Sequence, residues 1–200
     1  GGSTGDESEL LIGEWITRKG LRDKIVLCSK VGSRPKDLKN GDETREGLKK
    51  ETILRAVEDS LKRLKTDYLD LCYVHADLEN YPLEERLEAL ELLQKEGKIL
   101  SKGCSNITAT RLTKSLDLNQ ELEFNPIQAV QQKYSYLLPN QVNKGEVLKF
   151  LDEEMIQIAR EQHLSLLIYS VLLSGAYEKG FDHLPEQYLT EMNAQKINKL

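Results

Sequence analysis

Short apolar runs alternate with amphipathic segments along most of the chain, and this alternation constrains the fold more than any other feature. Strands are predicted at residues 25–28, 68–74, 100–105, 127–130 and 164–171. Apolar residues at helical spacing predict helices at residues 9–19, 50–65, 82–98, 108–118, 152–162 and 186–200. Strands that alternate with helices of this length form parallel sheets. The sequence therefore predicts an α/β protein with a parallel sheet.

Two parallel architectures compete, an open doubly wound sheet and a closed β/α barrel. No G-x-G-x-x-G motif follows any predicted strand, which weakens the dinucleotide-binding open sheet. A complete barrel of eight β/α units usually needs about 250 residues, whereas this chain has 200. We therefore predict a (β/α)8 TIM-barrel type fold that is incomplete, with about five of the eight units, as one partial barrel domain over residues 1–200.

Three local predictions follow from the same pattern. In the first helix, Leu10, Leu11 and Trp15 share one face and are expected to point inward. Residues 33–48 are polar and rich in glycine and proline, which predicts a long loop. The open sides of a partial barrel are expected to expose edge strands, with residues 25–28 at one edge and 166–169 near the other.

Composition excludes several classes of function. The net charge is −5 and no basic stripe is present, so we expect no nucleic-acid partner. No apolar run approaches the roughly 20 residues of a membrane span, and no signal peptide is visible, so we expect no membrane association. Cys28, Cys72 and Cys104 are odd in number and widely spaced within apolar runs, which favours buried thiols over zinc or disulfides. A reducing cytoplasm suits them.

Polar residues collect at the carboxyl ends of successive predicted strands, at Lys30, His75, Ser105, Asn106, Gln131, Tyr169 and Ser170. Each has an ordinary structural explanation: a rim lysine reaching water, a histidine bonded to backbone, a helix cap, a surface amide and a core tyrosine. Their coincidence at one rim favours a function, because barrel active sites are built there. Lysine and histidine can tune and orient a proton donor, neutral amides can hold a carboxamide, and tyrosine can stack on a flat ring.

The sequence resembles the aldo-keto reductase family over about residues 7–177. The resemblance is carried by ESELLIGEW, DKIVLCSKVG, ILRAVEDSLKRLKTDYLDLCYVH, PLEERLEALELLQKEGKI, GCSN, AVQQKYS and IYSVLLSGAY. It implies that Lys30 and His75 are catalytic, Lys30 lowering the pKa of a tyrosine and His75 orienting the carbonyl. It also implies that Ser105, Asn106 and Gln131 hold the nicotinamide carboxamide, that Tyr169 stacks on the nicotinamide, and that Ser170 and Leu172 contact the pyrophosphate.

The chain departs from the family pattern in two respects. Val171 stands where the family usually has proline, so the loop around it is expected to be less rigid. The family's catalytic aspartate and tyrosine precede the stretch that matches Gly1, and its 2′-phosphate-binding residues follow the stretch matched here. The sequence is therefore expected to be truncated at both ends, without the first two strands and first helix of the barrel and without its last strand and helix.

The resemblance implies an NADP-dependent oxidoreductase that transfers a hydride between NADPH and an aldehyde or ketone. NADP(H) is the implied cofactor and a small carbonyl compound the implied partner. Two alternatives stay open: a catalytically inactive module that binds nicotinamide or a partner protein, and a remnant without function. The sequence does not indicate which carbonyl is the substrate, nor the oligomeric state.

Overall fold

The fold was analysed in a computed structural model, which describes residues 5–37, 42–140, 147–197 and 199. The strands are β1 (Cys28–Val31), β2 (Pro35–Asp37), β3 (Asp42–Arg45), β4 (Leu69–Val74), β5 (Ile99–Ser105), β6 (Ile127–Lys133) and β7 (Ser165–Tyr169). The helices are α1 (Glu7–Lys19), α2 (Lys50–Leu64), α3 (Leu83–Lys95), α4 (Ala109–Glu121), α5 (Glu153–Glu161), α6 (Ala176–Lys179) and α7 (Glu191–Ile197). All five predicted main strands and the helices between them are present.

The order of strands in the main sheet identifies the architecture. Five parallel strands lie in the order β1-β4-β5-β6-β7, which is also their order along the chain. A doubly wound sheet reverses its strand order at a switch point, and this sheet does not. Consecutive parallel strands that each return through a helix are the units of a β/α barrel. The prediction of a partial barrel is confirmed.

The first strand lies later in the chain than predicted. We expected residues 25–28, buried on both faces, but β1 begins at Cys28 and Val26 is 77% exposed. β1 lies at the edge of the sheet and pairs only with β4 among the described strands. The two faces of the apolar run are covered unequally, because Leu27 is buried whereas Val26 and Cys28, which alternate with it, are exposed. Leu27 lies just before β1 and still contacts β4, because its N–H donates to the Asp70 carboxylate at 2.8 Å.

The first helix packs through a different face from the one predicted. Leu10, Leu11 and Trp15 are exposed, and Gly13 and Ile16 are the buried residues of α1. A Cβ atom at Gly13 would clash with the backbone carbonyl of Arg63 in α2. The helix backbones therefore meet at Gly13, and this close approach turns the larger apolar side chains away from the core.

Two further segments differ from their predictions. The predicted loop at residues 33–48 contains the short antiparallel pair β2 and β3, while residues 38–41 lie outside the described part. The predicted helix at residues 186–200 is divided into a 3-10 turn, Glu186–Tyr188, and the short helix α7. Tyr188 of the first piece is buried in a cluster with Phe150, and Asn193 of the second is buried with its Nδ2 atom donating to the carbonyls of Leu138 and Tyr188. The segment therefore packs as two short elements.

All three cysteines are free; Cys72 and Cys104 are buried as predicted, whereas Cys28 at the edge strand is exposed, against the prediction. Burial raises the pKa of Cys72 to about 12 and that of Cys104 to about 11.

Within the described residues, no cluster of three or more His, Cys, Asp or Glu side chains could hold a metal ion. No helix in that part of the chain is long and apolar enough to cross a bilayer.

A buried ion pair connects the sheet to the helix layer. Lys102 in β5 is fully buried, and its Nζ atom lies 3.0 Å from Oε2 of Glu91 in α3. Glu91 also accepts hydrogen bonds from the backbone and side-chain amides of Asn125, at 2.9 Å and 3.0 Å. Removing one partner of such a pair leaves an uncompensated buried charge, which is far more costly than the pair itself.

We predict that Lys102→Met lowers the free energy of unfolding by about 3–5 kcal/mol, because Glu91 then keeps a buried charge without its buried cation. The double variant Lys102→Met/Glu91→Gln should recover much of this loss, since glutamine still accepts from Asn125. Urea unfolding measures both values. Lys95→Met is the matched control, because Lys95 contacts the same carboxylate at 3.7 Å but is 65% exposed; its cost should be below about 1 kcal/mol. Equal costs at Lys95 and Lys102 would contradict this explanation.

Candidate active site

Parallel pairing brings Lys30 and the interior face of β4 together. The register aligns Lys30 with Tyr73, and Tyr73 with Gly103 of β5. Side chains aligned in this way point to the same face of the sheet. The Nζ atom of Lys30 lies 5.8 Å from the centre of the Tyr73 ring. A Cβ atom at Gly103 would lie 2.7 Å from that ring. Glycine at this position therefore leaves room for the Tyr73 ring beside Lys30.

His75 follows the last residue of β4 and lies on the same face as Tyr73. Its backbone N–H donates to the carbonyl of Val31 at 2.9 Å, which extends the pairing with β1 beyond the strand. Burial lowers the pKa of His75, and the positive charges of Lys30 and Arg45 lower it further. An imidazole with a pKa below its ordinary value of about 6.5 is neutral at pH 7. The ring can therefore both donate and accept a hydrogen bond there.

Asn106 follows the last residue of β5 and has a left-handed backbone conformation. Its φ angle is 50°, a region that asparagine tolerates better than most residues. Its backbone N–H donates to the carbonyl of Gln131 in β6 at 3.2 Å. Both Ser105 and Asn106 are almost fully buried. The sharp turn keeps the Asn106 side chain at the rim rather than in the helix that follows.

The Asn106 side chain links the histidine strand to β7. Its Nδ2 atom donates to the carbonyl of His75 at 2.8 Å and to the Ser105 hydroxyl at 3.1 Å. Its Oδ1 atom accepts from the Tyr169 hydroxyl at 2.5 Å and from the backbone N–H of Lys149 at 3.2 Å. An amide side chain has two donor hydrogens and two acceptor positions, so all four are used within the protein.

These contacts test whether the rim suits a carboxamide. The donor set is chemically appropriate, because the Ser105 hydroxyl and the Asn106 amide can exchange their present hydrogen bonds for hydrogen bonds to a ligand amide. The geometry adds a condition: a carboxamide that bonds to Oδ1 of Asn106 must displace the Tyr169 hydroxyl or the Lys149 N–H. Tyr169 is therefore both the ring that the resemblance assigns to stacking and a competitor for the same amide.

The other predicted cofactor residues lie next to this group. Gln131 is aligned with Ser105 and with Leu167 of β7, so it belongs to the same interior layer. Ser170 and Leu172 follow β7 at the surface, and both are exposed. Ser170 has a φ angle of 61°, and its carbonyl accepts from the N–H of Leu173 at 3.1 Å. The turn after β7 thus forms without the proline that the family usually has at Val171.

A cavity of about 1050 Å³ opens along β1, and none of the residues predicted to bind the cofactor lines it. Lys30 and His75 both line it, together with Arg34 and Tyr81. The Tyr81 hydroxyl packs against Gly47, whose φ angle of 84° and missing side chain permit this approach. The two residues that the resemblance makes catalytic therefore face one space large enough for a small molecule.

Two residues next to the predicted ones have roles that the strand-end pattern did not reveal. Asp77 follows His75 by two positions, and its carboxylate binds two arginines. Gln132 points away from Gln131 and exchanges hydrogen bonds with both backbone groups of Ile107. Gln132 could have been found from the alternation of a strand, which sends adjacent glutamines to opposite faces. Asp77 could not, because its partners lie on two different helices.

Comparison with known proteins agrees with this architecture. Residues 5–199 match the sequence model of the Aldo/keto reductase family. Protein tas of Escherichia coli (strain K12) is 30% identical over 194 residues, covering 86% of this chain and 53% of that protein. Aryl-alcohol dehydrogenase GME11368 of Pestalotiopsis microspora is 28% identical over 178 residues, covering 87% of this chain and 43% of that protein. The chain spans about half the length of these curated relatives.

Solved structures show the same relationship. The holo form of the aldo-keto reductase AKR11C1 from Bacillus halodurans gives a TM-score of 0.70 at 27% identity, covering 91% of this chain and 53% of that one. The aldo/keto reductase from Klebsiella pneumoniae in complex with NADP and acetate gives a TM-score of 0.64 at 28% identity, covering 86% and 50%. With five barrel units in order and a family match over nearly its whole length, the chain belongs to the aldo/keto reductase family.

Proposed function

We propose that this chain carries the nicotinamide-binding and carbonyl-orienting part of the active site of an NADP(H)-dependent oxidoreductase. The reaction is hydride transfer between the nicotinamide and an aldehyde or ketone. The observation that carries the proposal is the hydrogen bond from Nδ2 of Asn106 to the carbonyl of His75, at 2.8 Å. This bond connects Asn106, which we propose binds the nicotinamide carboxamide, to His75, which we propose orients the substrate carbonyl.

The similar proteins support this class of chemistry. One solved relative was crystallised with NADP, and one curated relative is an aryl-alcohol dehydrogenase by name. When bound, the cofactor supplies the hydride, and the protein supplies orientation and electrostatics. Ser105, Asn106 and Gln131 would hold the carboxamide, Tyr169 would stack on the ring, and Ser170 and Leu172 would contact the pyrophosphate. The free thiols suit a reducing cytoplasm, which we propose as the location.

Lys30 and His75 would act on the carbonyl side. A neutral His75 can donate a hydrogen bond to a carbonyl oxygen, while the Lys30 ammonium stabilises negative charge that develops nearby. The resemblance assigns the proton itself to a tyrosine that precedes the stretch matched here. Turnover is therefore best measured on a protein that includes that tyrosine, which we call the full-length product, and cofactor binding on the 200-residue chain.

We expect NADPH to bind the chain, since the carboxamide group and the stacking ring lie within it. Titration with NADPH, followed by its fluorescence, measures the dissociation constant.

In the full-length product, Lys30→Met and His75→Ala should each reduce turnover about 10²–10⁴-fold with little change in cofactor affinity. Lys114→Met, an exposed lysine on α4, is the control. No binding at millimolar NADPH would overturn the proposal, and binding without turnover in the full-length product would favour the inactive nicotinamide-binding module.

The pKa of His75 provides a second prediction. Because burial and the charge of Lys30 both lower it, Lys30→Met should raise the pKa of His75 toward its ordinary value, without reaching it while the ring stays buried. NMR titration of the imidazole resonances measures this change, and the chain has only three histidines to assign. Lys49→Met, at another lysine of the same cavity, should leave the value unchanged. A pKa that falls or stays constant in Lys30→Met would show that Lys30 does not act on the ring.

The Tyr169 hydroxyl is expected to compete with a bound carboxamide for Oδ1 of Asn106. Tyr169→Phe keeps the ring for stacking and removes the hydroxyl that occupies Oδ1 of Asn106. We expect NADPH to bind a few-fold more tightly, because a neutral hydrogen bond is worth about 1 kcal/mol. Tyr169→Leu, which removes ring and hydroxyl together, should bind more weakly than Tyr169→Phe. Equal affinity of the wild-type chain and Tyr169→Phe would show that the hydroxyl does not compete.

A further inference from the structure

We propose that Asp77 is a positioning residue for this site, in which its carboxylate holds the turn after His75 against the turn that contains Asn106. The inference rests on the proposed function, because it concerns the same site. It assigns a role to a triad that neither the strand-end pattern nor the family resemblance singled out: Asp77, Arg86 and Arg111.

The carboxylate of Asp77 is held from two helices. Arg86 in α3 places Nη2 2.6 Å from Oδ1 of Asp77. Arg111 in α4 places Nε 2.8 Å from Oδ2 and Nη2 3.1 Å from Oδ1. The pairing with Arg111 is bidentate, which fixes direction as well as distance. Three charge-assisted hydrogen bonds therefore define the position of the carboxylate relative to both helices.

The triad lies in a buried place. The side chain of Asp77 is 4% exposed and that of Arg86 is 2% exposed, whereas Arg111 reaches the surface. Burial by itself would raise the pKa of Asp77, but the hydrogen bonds and charges of Arg111 and Arg86 outweigh it and lower the pKa. The carboxylate is therefore ionised at neutral pH, and its bonds are strong because little water competes for them.

The backbone of Asp77 connects the triad to the site. Its N–H donates to the carbonyl of Asn106 at 3.2 Å. In the opposite direction, Nδ2 of Asn106 donates to the carbonyl of His75 at 2.8 Å. Two hydrogen bonds thus join a three-residue turn to a single asparagine, and the carboxylate anchors the end of that turn. Movement of Asp77 would move the His75 carbonyl and release one donor of the Asn106 amide.

Stability alone explains this arrangement poorly. Buried ion pairs contribute little net stability compared with well-packed apolar residues, because desolvating the charges offsets their attraction. A carboxylate held by two arginines directly behind the site provides instead a fixed geometry. We therefore expect loss of the charge to alter the Asn106 amide and the His75 ring even in a protein that remains folded.

The test compares Asp77→Asn with Asp117→Asn, the same change at an exposed position of α4. An asparagine at position 77 offers one acceptor, and its NH₂ group faces arginine donors, so the bidentate pairing is lost. In the cofactor-free protein, NMR should show displaced resonances for the Asn106 side-chain amide and the His75 imidazole. Titration with NADPH should show a dissociation constant about tenfold higher, equivalent to one or two lost hydrogen bonds. Asp117→Asn should match the wild-type chain in both measurements.

The outcomes separate this inference from the proposed function. If the Asn106 and His75 resonances of folded Asp77→Asn coincide with those of the wild-type chain, the positioning role is wrong, whatever happens to the melting temperature. If they move but the wild-type chain does not bind NADPH, the positioning role stands and the proposed function fails. If Asp77→Asn does not fold, Arg111→Met carries the test, since it removes two of the three bonds and leaves Arg86 in place; unmoved resonances there would overturn the inference.

Discussion

Parallel pairing of five strands in chain order is the constraint on which the rest of the structure depends. Because every strand runs in the same direction, the carboxyl ends of all five meet at one rim. The register then aligns residues that are distant in sequence: Lys30 with Tyr73, and Ser105 with Gln131. Helices return the chain to the opposite rim after each strand. The site is therefore a consequence of the topology, and loops are needed only to complete it.

Asn106 is the residue through which the rim becomes one unit. Its backbone bonds to Gln131 and Asp77, and its side chain bonds to His75, Ser105, Lys149 and Tyr169. A buried amide without partners costs about 1–3 kcal/mol, so these bonds stabilise the rim in the absence of a ligand. The same bonds oppose binding, because a ligand amide must take the place of at least one of them. The affinity for a nicotinamide thus depends on which partner leaves most easily.

Much of the fold could be predicted from local pattern, and the errors have identifiable causes. The strands from β4 to β7 and helices α2 to α5 were predicted because each buries a continuous run or stripe against its neighbours. The prediction that residues 25–28 are buried on both faces was wrong because only Leu27 of this run is buried, whereas Val26 and Cys28 are exposed. The inward face of α1 was wrong because Gly13, which carries no side chain to read, determines the contact with α2. The placement of Lys30, His75 and Asn106 at one rim followed from strand direction, whereas the triad of Asp77 depends on helix orientations that no local pattern contains.

We propose above all that a nicotinamide binds beside Lys30 and His75, at the rim formed by Ser105, Asn106, Gln131 and Tyr169. A crystal structure of the chain grown with NADP⁺ tests it most directly. We expect density for the carboxamide within hydrogen-bonding distance of Asn106 and for the nicotinamide ring against Tyr169. The Tyr169 hydroxyl or the Lys149 N–H should be displaced from Oδ1 of Asn106. A dinucleotide bound elsewhere, with the bonds of Asn106 to Tyr169 and Lys149 both intact, would contradict it.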